Sequence, residues 1–237
     1  MKDLKILILF FYYARPKLVR GALQSILDST YKNWEVAFID DTEDPVPGDK
    51  VSNEFMGDDS RFRYIWTGDT DEAKGVRGGS NFGKTANEVM QSSDADICIS
   101  CCDDDFLMPG YLEKLNEYYK ANPEVMYSYC HFTLYNPIEE KYEDIKQRTE
   151  ASNYLNWTHP INPFCQIDSS QGSHRLQEGN KAEIFYPHPQ TTALDSVIFS
   201  KMFNNWGPAV FNGILGQAKG WFPKQLGKRP CPYEDTE

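Results

Sequence analysis

The sequence has little that would suit a nucleic-acid-binding or membrane-spanning protein. Its 24 Lys and Arg residues are outnumbered by 35 Asp and Glu residues, so the formal net charge is −11, and no basic block is longer than Lys228-Arg229. This charge balance argues against direct binding to nucleic acid, whose phosphates attract basic side chains. The longest apolar run, residues 6–14, has about half the length needed to span a bilayer, and no signal-peptide cleavage site follows it. We therefore expect a cytoplasmic protein with no transmembrane segment.

The sequence also lacks the paired cysteines and histidines typical of zinc sites. Cys98 and Cys101 have the CxxC spacing, but they lie in an apolar segment with no second pair nearby. We expect these cysteines to be reduced and buried as small hydrophobic residues. With 40% hydrophobic residues, the chain has enough apolar material to form a core and is not disordered.

Hydrophobic patterning predicts an α/β fold. Residues 5–11 form a continuous apolar run typical of a strand buried on both faces, residues 18–27 have helical spacing, and residues 34–39 return as a strand. A right-handed crossover would make the two strands parallel, with ligands bound beyond their carboxyl ends. Further strands are predicted at residues 62–66, 96–101 and 125–134, and further helices at 85–91 and 109–120.

Two stretches carry no predicted helix or strand. Residues 40–60 are acidic and rich in turn formers, and residues 136–190 show no clear periodicity, only Pro, Asn, Ser and scattered aromatic residues. The second stretch is long for a connection, which indicates a functional excursion or insertion. Order is predicted to resume at residues 193–202.

Acidic residues cluster after two of the predicted strands. Asp40 and Asp41 follow residues 34–39, and Asp103, Asp104 and Asp105 follow residues 96–101. Adjacent carboxylates repel one another unless a cation or strong hydrogen-bond donors neutralise them, and Mg²⁺ or Mn²⁺ prefers such oxygen ligands. A solvated acidic turn is the alternative. The position at strand ends favours a metal site.

Two parts of the sequence resemble the family 2 glycosyltransferases. The segments KILILFFYYARP, from Lys5, and LQSILDSTYKNWEVAFIDD, ending at Asp41, are similar to the opening of that family. The acids at 103–105, followed by FLMPGYL, resemble its acidic metal motif. The resemblance implies a Rossmann-like, single-domain A-type glycosyltransferase fold, with a mostly parallel central sheet flanked by helices. Residues 1–135 would be the nucleotide-sugar-binding half, and residues 136–237 the acceptor-binding and catalytic half.

The resemblance also implies roles for individual residues in donor binding. Tyr13 would stack on the nucleobase, Asp40 would accept a hydrogen bond from a base N–H, and Asp103 would lie near the ribose. Asp104 would ligate a Mn²⁺ or Mg²⁺ ion that bridges the diphosphate, with Asp105 beside it as a second metal candidate.

Further candidates for nucleotide-sugar binding are Arg15, Asp41, Arg77 and Asn81. The sequence departs from the family at Cys102, which occupies the place of the first acid in the common Asp-x-Asp pattern. The division of roles among the three following acids is therefore open.

A glycosyltransferase of this kind needs a general base for the acceptor hydroxyl. In the resembled family the base is an Asp in a Glu-Asp pair, a position that Glu234 and Asp235 fit. Asp195 is a rival, and a solvated acidic terminus is the alternative for the pair. The implied activity is metal-dependent, inverting transfer of a sugar from a nucleotide-diphosphate donor to a glycan or other hydroxyl acceptor.

Two other interpretations remain open at this point. The substitution at Cys102 and the short tail after Asp235 would also suit a catalytically idle module that binds a nucleotide sugar. The segment GGSNFGKT, from Gly78 to Thr85, matches the spacing of a phosphate-binding P-loop. A P-loop, however, follows directly on an apolar strand, whereas residues 67–77 are polar and charged.

Overall fold

In the computed structural model, strands and helices alternate along the N-terminal part of the chain. Strand β1 (Ile6–Tyr12) is followed by helix α1 (Pro16–Leu27), strand β2 (Trp34–Asp40), helix α2 (Pro45–Met56) and strand β3 (Phe62–Trp66). Helix α1 begins with a proline, whose fixed φ suits the first turn. The structure describes residues 2–13, 15–42, 44–68, 82–136, 141–143, 160, 167–176 and 194–220.

The elements vary more in length after β3. Helix α3 (Phe82–Ser92) is followed by β4 (Ile97–Cys102), β5 (Asp105–Leu107), α4 (Tyr111–Ala121) and β6 (Tyr127–Asn136). The remaining elements are β7 (Lys141–Glu143), a 3-10 turn (Ser169–Gln171), β8 (Gly172–Arg175), α5 (Leu194–Trp206) and β9 (Val210–Gly220).

The described strands form one mixed, mostly parallel sheet. Its nine strands run in the order β3-β2-β1-β4-β8-β6-β9-β5, with β7 paired to β6. The pairings among β1, β2, β3 and β4 are parallel, as is the long pairing of β6 with β9. The antiparallel pairings, by contrast, each join only three residues per strand. This architecture confirms the predicted α/β fold with a mostly parallel central sheet.

Helices cover both faces of the sheet. Every residue of β1 is buried, and successive side chains enter two different cores. Ile6, Ile8 and Phe10 pack with residues of α1, α2 and α4, whereas Leu7 and Leu9 pack with residues of α3 and α5. The apolar character of the whole strand therefore follows from its position between two helical layers.

Several elements lie where the sequence predicted none. Helix α2 occupies most of the stretch 40–60, and strand β8 lies in the stretch 136–190, between β4 and β6 in the sheet. The sequence of β8 is Gly-Ser-His-Arg, so no hydrophobic alternation marks it. Strand β9 contains three glycines and was missed for a similar reason. The prediction of an irregular insertion at about 136–190 was therefore wrong at β7 and β8.

The remaining general expectations concern cysteines and membrane helices. Cys98 and Cys101 are fully buried with free thiols, as predicted, and Cys130 shares these properties. Within the described ranges, no helix has both the length and the apolar character needed to cross a membrane.

Candidate functional site

The register of the parallel strands brings the predicted site residues to one edge of the sheet. Tyr12, near the end of β1, lies opposite Asp40 of β2, and Phe11 lies opposite Cys102 of β4. The residues that follow these strands therefore emerge side by side at the carboxyl edge, where open α/β sheets bind ligands. Tyr13 and Asp103 meet there, as their hydrogen bond shows.

Asp103 is fully buried and holds the turn between β1 and α1. Its Oδ2 atom accepts hydrogen bonds from the backbone N–H groups of Tyr13, at 2.8 Å, and Arg15, at 3.1 Å. Its Oδ1 atom pairs with the Arg15 guanidinium. Burial raises the pKa of Asp103, an effect that Arg15 opposes and the neighbouring Asp104 reinforces. Both carboxylate oxygens thus orient the protein itself, and direct contact of Asp103 with a ribose stays a prediction.

Arg15 is a buried cation shared by two of the three acids. Its Nη1 atom pairs with Asp103 and lies 3.2 Å from Oδ1 of Asp104. The guanidinium also lies over the ring of Tyr13, 5.8 Å from the centroid, which is a cation–π arrangement. Burial opposes the charge of Arg15, but the two carboxylates outweigh it and raise the pKa of the guanidinium. Arg15, predicted only as a nucleotide-binding candidate, therefore links the first turn to the acidic segment.

Asp105 faces a second cation on the other side of the acidic segment. Nζ of Lys219, on β9, lies 3.6 Å from Oδ1 of Asp105 and 3.2 Å from Oδ2 of Asp168. Oδ2 of Asp105 accepts the backbone N–H of Cys102 at 2.9 Å, but Oδ1 accepts no hydrogen bond from any described residue. Burial and the carboxylates of Asp104 and Asp168 raise the pKa of Asp105, against the effect of Lys219.

The charges around the acidic segment do not balance among the described residues. The carboxylates of Asp103, Asp104, Asp105 and Asp168 face two cations, Arg15 and Lys219. A further cation would compensate this excess of carboxylates, and Oδ1 of Asp105, which accepts no hydrogen bond from a described residue, offers it a ligand beside Lys219.

A ligand group for such a cation is present at the same place. Potential ligand atoms of Cys102, Asp104 and Asp105 all lie within 4.8 Å of one another. The two carboxylates suit Mg²⁺ or Mn²⁺, whereas the thiol of Cys102 is a soft ligand, and burial raises its pKa well above the ordinary value. The donor set therefore fits a hard divalent ion held by Asp104 and Asp105.

Asp40 lies at the same edge but is engaged differently from Asp103. Its Oδ1 atom accepts from the backbone N–H and hydroxyl of Thr42, and its Oδ2 atom accepts from the hydroxyl of Tyr64 at 2.7 Å. Gly48 of α2 packs so closely that a Cβ there would lie 1.8 Å from Oδ2. Burial raises the pKa of Asp40, although these hydrogen bonds oppose the shift. The implied contact of Asp40 with a base N–H stays a prediction.

Asp41 is buried beside Asp40 and accepts a hydrogen bond from the hydroxyl of Thr67 at 3.0 Å. Trp66, at the end of β3, donates from its indole Nε1 atom to the carbonyl of Thr42 at 2.9 Å. Trp66 is 42% exposed, which is unusual for a tryptophan and leaves an aromatic side chain accessible at the carboxyl edge of the sheet.

Some predicted site residues cannot be placed in this arrangement. Arg77, Asn81, Glu234 and Asp235 lie outside the described residues. Asp195 lies in the first turn of helix α5, but its side chain is not part of what the structure describes.

The structure does not support the P-loop interpretation. Strand β3 ends at Trp66, more than ten residues before Gly78, so the described strand does not run directly into the glycines. Lys84 lies within helix α3, with its Nζ atom 3.9 Å from Glu88.

The sequence interpretation missed three residues of this region. Asp168 lies in the stretch 136–190, which showed no clear periodicity, Lys219 lies beyond the last predicted element, and Trp66 was taken only as part of a strand. No local signal marked Lys219, because β9 itself was not predicted and its end carries glycine and glutamine.

Comparisons with known proteins agree with this geometry. Residues 7–170 match the family model described as glycosyl transferase family 2, which covers β1 through the turn that precedes β8. No curated protein matches the chain.

Solved structures of S. aureus TarS share the fold. One TarS structure aligns with a TM-score of 0.61 at 11% identity, covering 92% of this chain and 37% of TarS. TarS 1-349 in complex with UDP aligns with a TM-score of 0.62 at 10% identity, covering 93% of this chain and 61% of that one. The complex with UDP-GlcNAc gives a TM-score of 0.60 at 11% identity, with coverages of 98% and 63%.

This chain therefore spans less than two thirds of each of these TarS chains, and identities near 10% establish a shared fold rather than a shared substrate. The family match extends over more than half of the chain and includes both acidic clusters. The chain belongs to glycosyl transferase family 2.

Proposed function

We propose that this chain transfers a sugar from a nucleotide-diphosphate donor to a hydroxyl group of a glycan or other acceptor. The observation that carries the proposal is the convergence of Tyr13, Arg15, Asp103 and Asp104 at the carboxyl edge of a family 2 sheet. The UDP and UDP-GlcNAc bound to TarS make uridine-diphosphate sugars the first donors to test.

The donor would bind along this edge. The exposed indole of Trp66 and the ring of Tyr13 offer aromatic faces to the base, and Asp40 or Asp41 offers a carboxylate to a base N–H. Arg77 and Asn81 would complete the nucleotide site. Residues 136–237 would supply the acceptor half, a division that stays a proposal.

A divalent cation is part of the proposal because of the charge around the acidic segment. Asp104 and Asp105 would hold Mg²⁺ or Mn²⁺, and Arg15 keeps Asp103 and Asp104 in place beside it. When bound, such an ion neutralises the negative charge that develops on the leaving diphosphate.

The remaining chemistry would be a single inverting displacement. The Asp235 carboxylate would take the proton of the acceptor hydroxyl as that oxygen forms a bond to the anomeric carbon. The bond from this carbon to the diphosphate oxygen breaks at the same time, and the diphosphate leaves with the electron pair. Glu234 would flank the base, and Asp195 is the alternative base. We further propose that the reaction takes place in the cytoplasm.

The first test is a screen for donor binding. UDP-, GDP-, CMP- and dTDP-sugars are added with and without Mn²⁺, and the melting temperature is followed, since a ligand of the native state raises it. We expect one class of donor to raise the melting temperature, and to do so more strongly with Mn²⁺.

The second test is turnover of that donor, measured as release of the nucleoside diphosphate with a panel of hydroxyl acceptors. We expect EDTA to abolish release and Asp104→Asn to lower it on the order of a hundredfold. Asp58→Asn is the matched control. Asp58 is exposed and lies before the first residue of β3, at the amino-terminal edge of the parallel strands and opposite the acidic segment. Transfer that survives both EDTA and Asp104→Asn would contradict the metal-dependent mechanism. Binding without turnover would instead identify the idle module.

A further inference from the structure

Lys219 links the acidic segment to a part of the chain that the family motif does not include. It is the penultimate residue of β9 and the register partner of Asp105 in the antiparallel pairing of β9 with β5. Its ammonium lies between Asp105 and Asp168, whose side chains are 1% and 7% exposed. Burial opposes the charge of Lys219, but the carboxylates outweigh it and raise its pKa. The ammonium therefore has a buried carboxylate on each side.

Asp168 is a rigid anchor for this ammonium. It caps the 3-10 turn, with Oδ1 accepting from the backbone N–H of Ser170 at 3.1 Å and from its hydroxyl at 2.9 Å. The backbone N–H of Asp168 donates to the side chain of Gln171, which in turn donates to the carbonyl of Cys130. Because the anchor is fixed on β6 and the turn, the Lys219 ammonium is fixed with it.

The neighbour of Lys219 holds the backbone of the same acidic segment. The N–H of Gly220 donates to the carbonyl of Asp104, and a Cβ at Gly220 would lie 3.1 Å from that oxygen. The end of β9 therefore contacts the acidic segment at two points. The N–H of Gly220 bonds to the Asp104 backbone, and the ammonium of Lys219 pairs with the Asp105 side chain. The side chain of Asp104 pairs through Oδ1 with Arg15, but it is 12% exposed against 1% for Asp105, so Asp104 is the more accessible of the two carboxylates.

We propose that Lys219 is a positioning residue. Its ammonium pairs with both Asp105 and Asp168 and holds the Asp105 side chain in place, which leaves Asp104 as the principal carboxylate for a divalent ion. An ammonium 3.6 Å from Asp105 Oδ1 competes for that oxygen and repels a second cation. Lys219 thus limits how tightly the site holds the ion. This inference rests on the proposed function only in its use of a divalent cation at Asp104.

The test compares Mn²⁺ affinities of the full chain without any donor, measured from the electron paramagnetic resonance signal of free Mn²⁺. The main variant is the double substitution Lys219→Met with Asp168→Asn, which removes the ammonium and its anchor without changing the net charge. We expect it to bind Mn²⁺ about tenfold more tightly than the original protein, since Asp105 gains a free oxygen for the ion. The matched control is Lys114→Met with Asp58→Asn, two exposed residues, which we expect to leave the affinity unchanged.

A second variant covers the case in which the double variant does not fold, which circular dichroism would show. Asp168→Asn alone leaves Lys219 with Asp105 as its remaining carboxylate partner, so we expect Mn²⁺ affinity to fall several-fold. Asp58→Asn has the same change in net charge and serves as its control. Affinity that is unchanged or higher in Asp168→Asn would overturn the proposal.

The outcomes separate this inference from the proposed function. Tighter binding by the double variant supports the role of Lys219, even if the original protein binds no Mn²⁺, in which case the metal-dependent mechanism fails alone. Equal or weaker binding by a folded double variant overturns the role of Lys219, while Mn²⁺ binding by the original protein still supports the metal site. If neither protein binds Mn²⁺, both proposals are overturned.

Discussion

Arg15, just after β1, forms a buried ion pair with Asp103, just after β4, and so joins two turns that are 88 residues apart in the sequence. The same carboxylate also accepts the backbone N–H of Arg15 at 3.1 Å. This relationship makes the acidic segment and the first turn one structural unit. Its energetic weight can be measured directly.

Arg15→Met should lower the free energy of unfolding by about 3 to 5 kcal/mol, because it leaves buried carboxylates without their cation. Urea unfolding followed by circular dichroism measures this change. Arg20→Met is the control, since Arg20 lies nearby in α1 but forms an exposed pair with Glu54. We expect its effect to be much smaller. Equal losses in the two variants would contradict the structural weight given to Arg15.

The hydroxyl of Tyr64 stabilises the buried Asp40 carboxylate. Tyr64→Phe should lower the free energy of unfolding by about 1.5 to 3 kcal/mol, the usual range for a hydrogen bond to a charged group. The comparison is with Tyr118→Phe, a half-buried tyrosine on α4, in the same urea titration. A Tyr64→Phe variant as stable as the original protein would show that Asp40 does not depend on this donor.

The direction of the stability change in Gly48→Ala tests how closely helix α2 packs against Asp40. Gly to Ala within a helix ordinarily stabilises by roughly 0.5 to 1 kcal/mol. In α2 the added Cβ would lie 1.8 Å from Oδ2 of Asp40, so Gly48→Ala should destabilise instead. Thermal unfolding of this variant and of the exposed Lys50→Ala in the same helix makes the comparison. A higher melting temperature for Gly48→Ala would contradict the close packing against Asp40.

His174 should contribute a loss of stability in mild acid. Burial lowers the pKa of this residue to about 4, and Nε2 has no hydrogen-bond partner among the described residues. The unfolded chain binds a proton below about pH 6.5 while the folded chain does not, so stability is lost as the pH falls from there towards the folded pKa. The loss attributable to His174 is about 3 kcal/mol.

Urea unfolding at several pH values tests this dependence. His174→Leu should lose less stability than the original protein between neutral pH and mild acid. Leu112→Ala is the control, because a cavity in the core lowers stability at every pH without adding or removing a titrating group. An unchanged pH dependence in His174→Leu would refute the assignment.

Much of the fold and part of the site could be predicted from sequence because their signals are local. Strand β1 is continuously apolar and lies between two helical layers, and α1 begins at a proline and repeats its apolar residues every turn. The acids at 40–41 and 103–105 follow strands directly, so parallel pairing alone brings them to one edge. Strand β8 escaped prediction because its short polar sequence is stabilised by partners distant in the chain, such as Tyr119 bonded to Ser173.

The sequence by itself determined the alternation of strands and helices, the excess of acid at the sheet edge and the likeness to a glycosyltransferase family. Only the tertiary structure decided which side chain pairs with each buried carboxylate. Asp103 is paired with Arg15, Asp105 with Lys219, and Asp40 with hydroxyl donors instead. The physical reason is that apolar periodicity and strand ends are properties of neighbouring residues, whereas the partner of a buried charge is set by which distant elements the sheet brings within a few ångströms.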